Sequence, residues 1–258
     1  MNVMHPCNDQ AAFEWIRTGR EELLASENPN WKGNFVSHLF PKDFDAYAKL
    51  LHSIEANYKN IDNPLSESEI AILKVPPCKK LRSFVERLRQ ERRGSRIRWQ
   101  TLTQLFGVPF EPEICTEWFR FSMGDSGCWP RFLIGPDEGN LNSQELSELL
   151  SVLRPFTGTQ DCFFRFAEIP FITTDKPILF RGVLDELSIF LASGEYQLTP
   201  EYWWPADRSW CVCSDYDLTF TAVAGSKELV SCVLKDTTFE ALQVTLQTRI
   251  DSYAPMPK

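Results

Sequence analysis

The stretch Tyr202-Trp203-Trp204-Pro205-Ala206-Asp207-Arg208-Ser209-Trp210-Cys211-Val212-Cys213-Ser214 runs on into Asp215-Tyr216-Asp217-Leu218-Thr219-Phe220-Thr221-Ala222-Val223-Ala224-Gly225-Ser226. The reading of the fold starts from this stretch. Ser209–Ser214 and Leu218–Val223 are short apolar runs joined by the acidic connection Asp215-Tyr216-Asp217, which predicts two strands of a hairpin. Ala224-Gly225 ends the second strand, and Ser226 is placed to cap a helix over 227–235. Leu229, Val230, Val233 and Leu234 give that helix one apolar face. Leu242, Val244 and Leu246 alternate with hydrogen-bonding side chains and predict a further strand over 242–248. Strand, strand, helix, strand lacks regular βαβ alternation. The expected class is therefore α+β, with a mixed or antiparallel sheet and several short helices.

Working outward, Asp161–Ile169 reads as a Phe-dense strand, and 178–198 fits either buried strands or a helix. Asn142 and Glu145 form a capping box for a helix over 143–153, with Leu146, Leu149, Leu150 and Leu153 as its apolar stripe. Gly124–Pro136 is loop-rich, and a short helix is expected over 99–106. Pro77 and Gly94 bracket a helix over 77–93 that would pack by Leu81, Phe84, Val85 and Leu88. Ser66 and Glu69 make another capping box. Phe44, Tyr47, Leu51 and Ile54 recur at helical spacing and predict a helix over 43–55. Asn34–Leu39 is expected as a strand after a turn over 28–33, and Asp9 would cap a helix over 9–25. The 258 residues are read as one α+β domain, divisible into a helical N-terminal region (residues 1–110) and a sheet-rich C-terminal region (residues 111–258).

Composition narrows the chemistry. The net charge is −8, which argues against a general nucleic-acid coat, because phosphate binding needs a basic face. No apolar run reaches the roughly 20 residues of a membrane span. The N-terminal residues lack the basic start and apolar core of a secretory signal, so a cytoplasmic protein is expected. The eight cysteines fall mostly in apolar runs and are read as reduced, buried small hydrophobes. Cys211 and Cys213 are the one close pair; without a second pair or a nearby His, no metal site is expected. Gly124-Asp125-Ser126-Gly127 echoes the nucleophile motif of trypsin-like proteases. However, His5, His38 and His52 do not sit in the context of a catalytic base, and Ser126 is read as belonging to a polar turn. Phosphate-binding glycine loops are absent, and no cofactor is expected.

Two runs remain as candidate contact surfaces. Between Pro76 and Gln100 nine Lys and Arg face two Glu, and Arg82, Arg89, Arg92 and Arg93 form a candidate basic face. That face is read either as a solvated helix side or as a contact for an anionic partner such as nucleic acid. The second run is Tyr202–Trp210. Trp203, Trp204, Asp207, Arg208 and Trp210, with Asp217 beyond, make either an exposed recognition patch or a structural corner. In the corner reading, Arg208 is bonded to Asp207, Asp215 or Asp217.

The residues Trp203-Trp204-Pro205-Ala206-Asp207-Arg208-Ser209-Trp210-Cys211-Val212, then Asp215-Tyr216-Asp217-Leu218, Thr221 and Gly225-Ser226, resemble a signature of uncharacterised bacterial proteins, many of them actinobacterial. The likeness is specific over about the last 60 residues and touches Phe44–His52 and Arg98-Trp99. It departs at Val223-Ala224-Gly225, where relatives carry two glycines. It implies a bacterial cytosolic protein with a shared fold and supplies no catalytic residue. The expected function is a non-enzymatic module that binds another protein, immunity-like or regulatory. The alternatives are an enzyme with a site of scattered carboxylates, and a nucleic-acid contact through 77–98.

Overall fold

The computed structural model describes residues 4–9, 11–26, 33–41, 44–56, 96–122, 129, 133–168, 178–196 and 198–252. In chain order its elements are β1 (His5–Pro6), α1 (Ala11–Ser26), a 3-10 turn (Val36–His38), β2 (Ala46–Leu51), β3 (Ile54–Ala56) and β4 (Arg96–Ile97). Then come α2 (Trp99–Phe106), α3 (Thr116–Ser122), β5 (Leu133–Ile134), α4 (Ser143–Thr157), β6 (Asp161–Arg165) and β7 (Leu179–Val183). The chain continues through α5 (Glu186–Ala192), β8 (Tyr202–Pro205), β9 (Cys211–Cys213), β10 (Phe220–Gly225), α6 (Lys227–Lys235) and β11 (Glu240–Val244). They group into two units, Met1–His52 with Glu138–Arg249, and Ser53–Asp137 with Ile250–Lys258. The fold is α+β, and every strand pairing among the described residues is antiparallel.

The first unit is built on an eight-stranded sheet of order β1-β7-β6-β8-β9-β10-β2-β11. Because paired residues share a face, the register divides the sheet cleanly. Ala48, Leu50, Phe164, Phe180, Trp203, Val212 and Val223 fall on one side and pack with Leu149, Leu150 and Leu153 of α4, Leu187 and Phe190 of α5, and Leu229, Val230 and Val233 of α6. The other side carries Tyr202 and Trp204, covered by α1: the Phe13 ring lies 5.3 Å from Tyr202 and 6.0 Å from Trp204. With both faces covered, all four residues of β8 are buried. The helix ends follow the capping signals. Asn142 accepts from the backbone N–H of Gln144 and Glu145, and Ser226 from that of Leu229. Asp9 accepts from Ala11 N–H at 3.1 Å.

The second unit holds a three-stranded sheet, β4-β3-β5. Its α2 and α3 meet through Phe119, whose ring lies 5.6 Å from Trp99 and 6.0 Å from Phe106.

Several expectations are corrected. The stretch 43–55 holds strands β2 and β3, not a helix. All six residues of β2 are buried between β10 and β11, so no polar alternation marks it, and the spacing of its apolar residues mimics a helix. Asn34–Leu39 holds a 3-10 turn, with only Phe35 bridged to Arg249. The final strand starts two residues earlier and ends four residues earlier than expected, and 178–198 resolves into β7 followed by α5. The capping box at Ser66, the helix over 77–93, the basic-face residues Arg82, Arg89, Arg92 and Arg93, and the Gly124–Gly127 turn with Ser126 lie outside the described residues.

Candidate functional site

The turn joining β8 to β9 is set by its own polar groups. Arg208 N–H donates to Pro205 O at 2.9 Å, and Ser209 N–H to Asp207 Oδ1 at 2.9 Å. Gln160 closes a two-way bond with Asp207: its Nε2 donates to Oδ2, and its Oε1 accepts from Asp207 N–H, each at 2.9 Å. Burial pushes the Asp207 carboxyl up, but the bonds from Gln160 and Ser209 outweigh it and hold the group below the ordinary aspartate value. Arg208 has φ +59°, and among the described residues it is the one non-glycine in the left-handed region. Its guanidinium lies 5.2 Å above the Trp15 ring.

This arrangement corrects the expected Arg208 pairing. Among the described residues Arg208 has no carboxylate partner. Asp207 is held by Gln160, while Asp215 and Asp217 lie at the opposite end of β9. Trp203, Trp204 and Trp210, at 0, 1 and 0% exposure, belong to the interior and offer no surface tryptophan patch. Trp210 Nε1 donates to Thr157 Oγ1 at 3.1 Å, which ties the start of β9 to the end of α4. Asp217 is exposed, and its N–H donates to Asp215 Oδ1 at 3.0 Å within the acidic turn.

On the α1 side of the sheet, the register sets His5, Arg181, Phe163 and Trp204 abreast across β1, β7, β6 and β8. A continuous stack results. The Arg181 guanidinium is 5.7 Å from the Phe163 ring, and Phe163 lies nearly parallel to Trp204 at 5.6 Å. Trp204 meets the edge of Trp15 at 6.1 Å, and Trp15 underlies Arg208. Trp204 in the middle of this ladder is buried, Phe163 and Trp15 beside it are half-buried, and each end is an exposed cation.

Beside Arg181 lies an open groove of about 610 Å³, lined by His5, Cys7, Asp9, Asp161, Arg181 and Glu186 among others. Arg181 Nε donates to Asp161 Oδ2 at 2.8 Å. Glu186 Oε2 accepts from Val183 N–H at 3.1 Å. Gly182 makes that approach possible, since a Cβ there would lie 2.5 Å from Glu186 Oε2 and 2.9 Å from Met4 Cγ. The sequence shows Asp9 as a helix cap, but nothing in it draws Asp161, Arg181 and Glu186 together. They meet only through the β6–β7 register and the turn into α5.

The buried ionisable groups are internally committed. Ser214 Oγ, Thr221 Oγ1 and His52 Nε2 form a chain with links of 2.8 and 2.9 Å. It resembles a nucleophile relay, yet all three residues are fully buried, and the chain joins β9, β10 and the end of β2. Glu201 pairs with Arg165, whose guanidinium sits 4.5 Å over Phe13. Burial raises the Glu201 carboxyl above its ordinary value despite that guanidinium. The six described cysteines are free thiols. Burial pushes Cys162 up to about 12 and Cys211 and Cys213 well upward, which keeps them protonated and poor metal ligands. Cys232, expected inside, is exposed on α6, because Leu229, Val230 and Val233 take the inner face. Among the described residues no group of three or more His, Cys, Asp and Glu is placed to hold a metal, and no helix is long and apolar enough to cross a membrane.

No protein-family model, curated protein or solved structure matches the chain.

Proposed function

We propose that the chain is a non-enzymatic protein-binding module of an immunity-like or regulatory kind, acting in the bacterial cytoplasm. The observation that carries this reading is the aromatic ladder that runs from β7, next to the edge strand β1 of the large sheet, to the β8–β9 turn. Exposed Arg181 and Arg208 terminate it, and the Arg181 end lies beside an open groove. Rigid exposed cations on an aromatic base suit recognition, because little side-chain freedom is lost on contact. Catalysis asks instead for an accessible, unsatisfied acid, base or nucleophile. Glu201, the carboxylate that burial raises, is tied to Arg165.

The test is affinity capture from a bacterial host with the wild-type chain and with the double variant Arg181→Glu/Arg208→Glu, followed by reconstitution from purified components. The expected result is a partner retained by the wild type, lost with the variant, and bound in calorimetry. If every retained protein is held equally by the variant, this margin is not the binding surface.

A further inference from the structure

We infer that residues 53–137 are inserted into a host sheet that closes without them, and that the buried Ser214–Thr221–His52 chain is the clamp at the point of insertion. This holds whether or not the chain binds a partner.

The chain leaves the first unit after His52 and returns at Glu138. His52 N–H donates to Thr219 O at 3.1 Å, and Gly139 N–H donates to Leu218 O at 2.9 Å. Exit and return are thereby pinned to consecutive carbonyls on the approach to β10, although residues 53–137 separate them in sequence. The return is held a second time: Thr199 Oγ1 donates to Gly139 O at 3.1 Å, and Thr199 N–H donates to Asn140 Oδ1 at 3.2 Å. Only glycine fits at 139, where a Cβ would lie 2.4 Å from Tyr216 Cα. A third crossing follows Arg249. The chain just before it is tied into the first unit by the Phe35–Arg249 bridge and by Val36 N–H, which donates to Thr248 O at 3.0 Å.

Between these points the host supplies its own framework. All eight strands of the large sheet belong to it, and the core that they share with α4, α5 and α6 draws no residue from 53–137. The buried polar chain sits where the insertion leaves. Ser214, Thr221 and His52 are 2, 0 and 1% exposed, so water cannot stand in for a lost bond there. Its links of 2.8 and 2.9 Å tie the end of β9 to β10, and β10 to the last residue before the crossing. Ser214 N–H extends the tie by donating to Glu201 O at 2.8 Å. A nucleophile relay needs access, whereas a clamp needs burial, and burial is what the three residues share. Closing β2 onto β10 around an unfolded insertion costs an entropy that grows only with the logarithm of the insertion's length. The host sheet therefore survives when 53–137 unfold.

Amide hydrogen exchange of the full chain tests both parts. In the wild type, exchange across a urea series should resolve two openings, one for α2 and α3 and another for β2, β9 and β10. A single shared opening overturns the insertion. Trp99→Ala/Trp118→Ala removes two fully buried indoles from the second unit. It should speed exchange in α2 and α3 by about a hundredfold or more and in β2, β9 and β10 by less than about threefold. Equal acceleration in both units overturns the proposal, as does loss of the host sheet in this variant. For the clamp, Thr221→Val keeps the side-chain shape and deletes the central hydroxyl. Thr157→Val, which deletes another buried hydroxyl of the host, is the control for general loss of stability. The His52 and Gly139 amides should exchange about tenfold or more faster in Thr221→Val than in Thr157→Val. Equal rates at these two amides overturn the clamp.

Discussion

Trp203 and Trp204 are neighbours in β8 whose rings go to opposite faces of one sheet. In a sheet with one wet face, truncating such neighbours gives one large loss and one loss near zero. Here both faces are covered, and both losses are expected to be large. Trp204 lies nearly parallel to Phe163 at 5.6 Å, with Trp15 edge-on at 6.1 Å. Trp203 lies 6.4 Å from Phe164 and meets Trp210 edge-on at 6.0 Å. Both are essentially inaccessible. Truncation of a buried indole costs about 3–5 kcal/mol through lost transfer energy and the cavity left behind. The ring pairs add about 0.5–1.5 kcal/mol each to what is at stake. Set against a total stability of about 5–15 kcal/mol, either Trp203→Ala or Trp204→Ala brings the protein close to unfolding. The milder Trp203→Phe and Trp204→Phe keep the stacking, and each should lose about 1–2 kcal/mol from a smaller void. Urea titrations followed by circular dichroism measure these losses as shifts in midpoint at constant slope. If one alanine variant stays within about 0.5 kcal/mol of the wild type while the other collapses, one face of β8 is open to solvent. Where Trp204→Ala is the unaffected variant, the aromatic ladder between Arg181 and Arg208 does not exist.

Gly139→Ala should cost about 2–4 kcal/mol, since a Cβ at φ +61° would sit 2.4 Å from Tyr216 Cα. Gly107→Ala, equally left-handed but with open space around it, should cost only about 1–2 kcal/mol, and thermal melts of the pair isolate the steric contribution. Arg208→Ala should lose about 0.5–1 kcal/mol with the Trp15 contact, whereas Arg208→Gly should be about 1 kcal/mol more stable than the alanine variant because it relieves the left-handed strain; a loss above about 3 kcal/mol for alanine would indicate a buried ion pair instead. Asp207 has a lowered carboxyl, so its charge stabilises the fold above the unfolded-state value and that contribution fades as pH falls through the folded one. The stability gap between wild type and Asp207→Asn should therefore be constant above the ordinary aspartate range and close as pH falls below it, as read by denaturant titration at each pH. Among the described cysteines, Cys232 should react first with a thiol reagent and Cys162, Cys211 and Cys213 only on unfolding, as mapped by peptide mass spectrometry.

The C-terminal quarter is legible because its signals are local. Ser226 caps α6 as its position predicts, and β9 pairs with β10 across the acidic turn. Asn142 works for the same reason: a cap needs only its own first turn. Strand β2 reads as a helix because its identity is decided by strands far away in the chain. Once β10, β11 and both sheet faces cover Ala46–Leu51, Lys49 is the one charged residue left in it and cannot mark a period of two. The candidate site divides along the same line. Asp207 and Arg208 stand out as a polar break in an aromatic run, but their partners do not. Gln160 and Trp15 come from the approach to β6 and from α1, and neither shares a motif with the turn. Arg181 and Glu186 are ordinary surface residues until register and a glycine bring them to one groove.

The place of β2 in the sheet also sets a clock. It is completed at Leu51, yet the strands that flank it begin at Phe220 and Glu240. At about 5–20 residues per second of synthesis, the nascent chain carries β2 without either neighbour for roughly 8–34 s. An unpaired apolar strand held that long is a target for association with other chains. Lys49 stands in the middle of it. In the finished sheet its ammonium is buried 4.7 Å over the Phe220 ring, but before Phe220 exists it is a solvated charge interrupting Ala46-Tyr47-Ala48 and Leu50-Leu51. One residue thus guards the strand against premature pairing and, when β10 arrives, joins the contact that ends the wait.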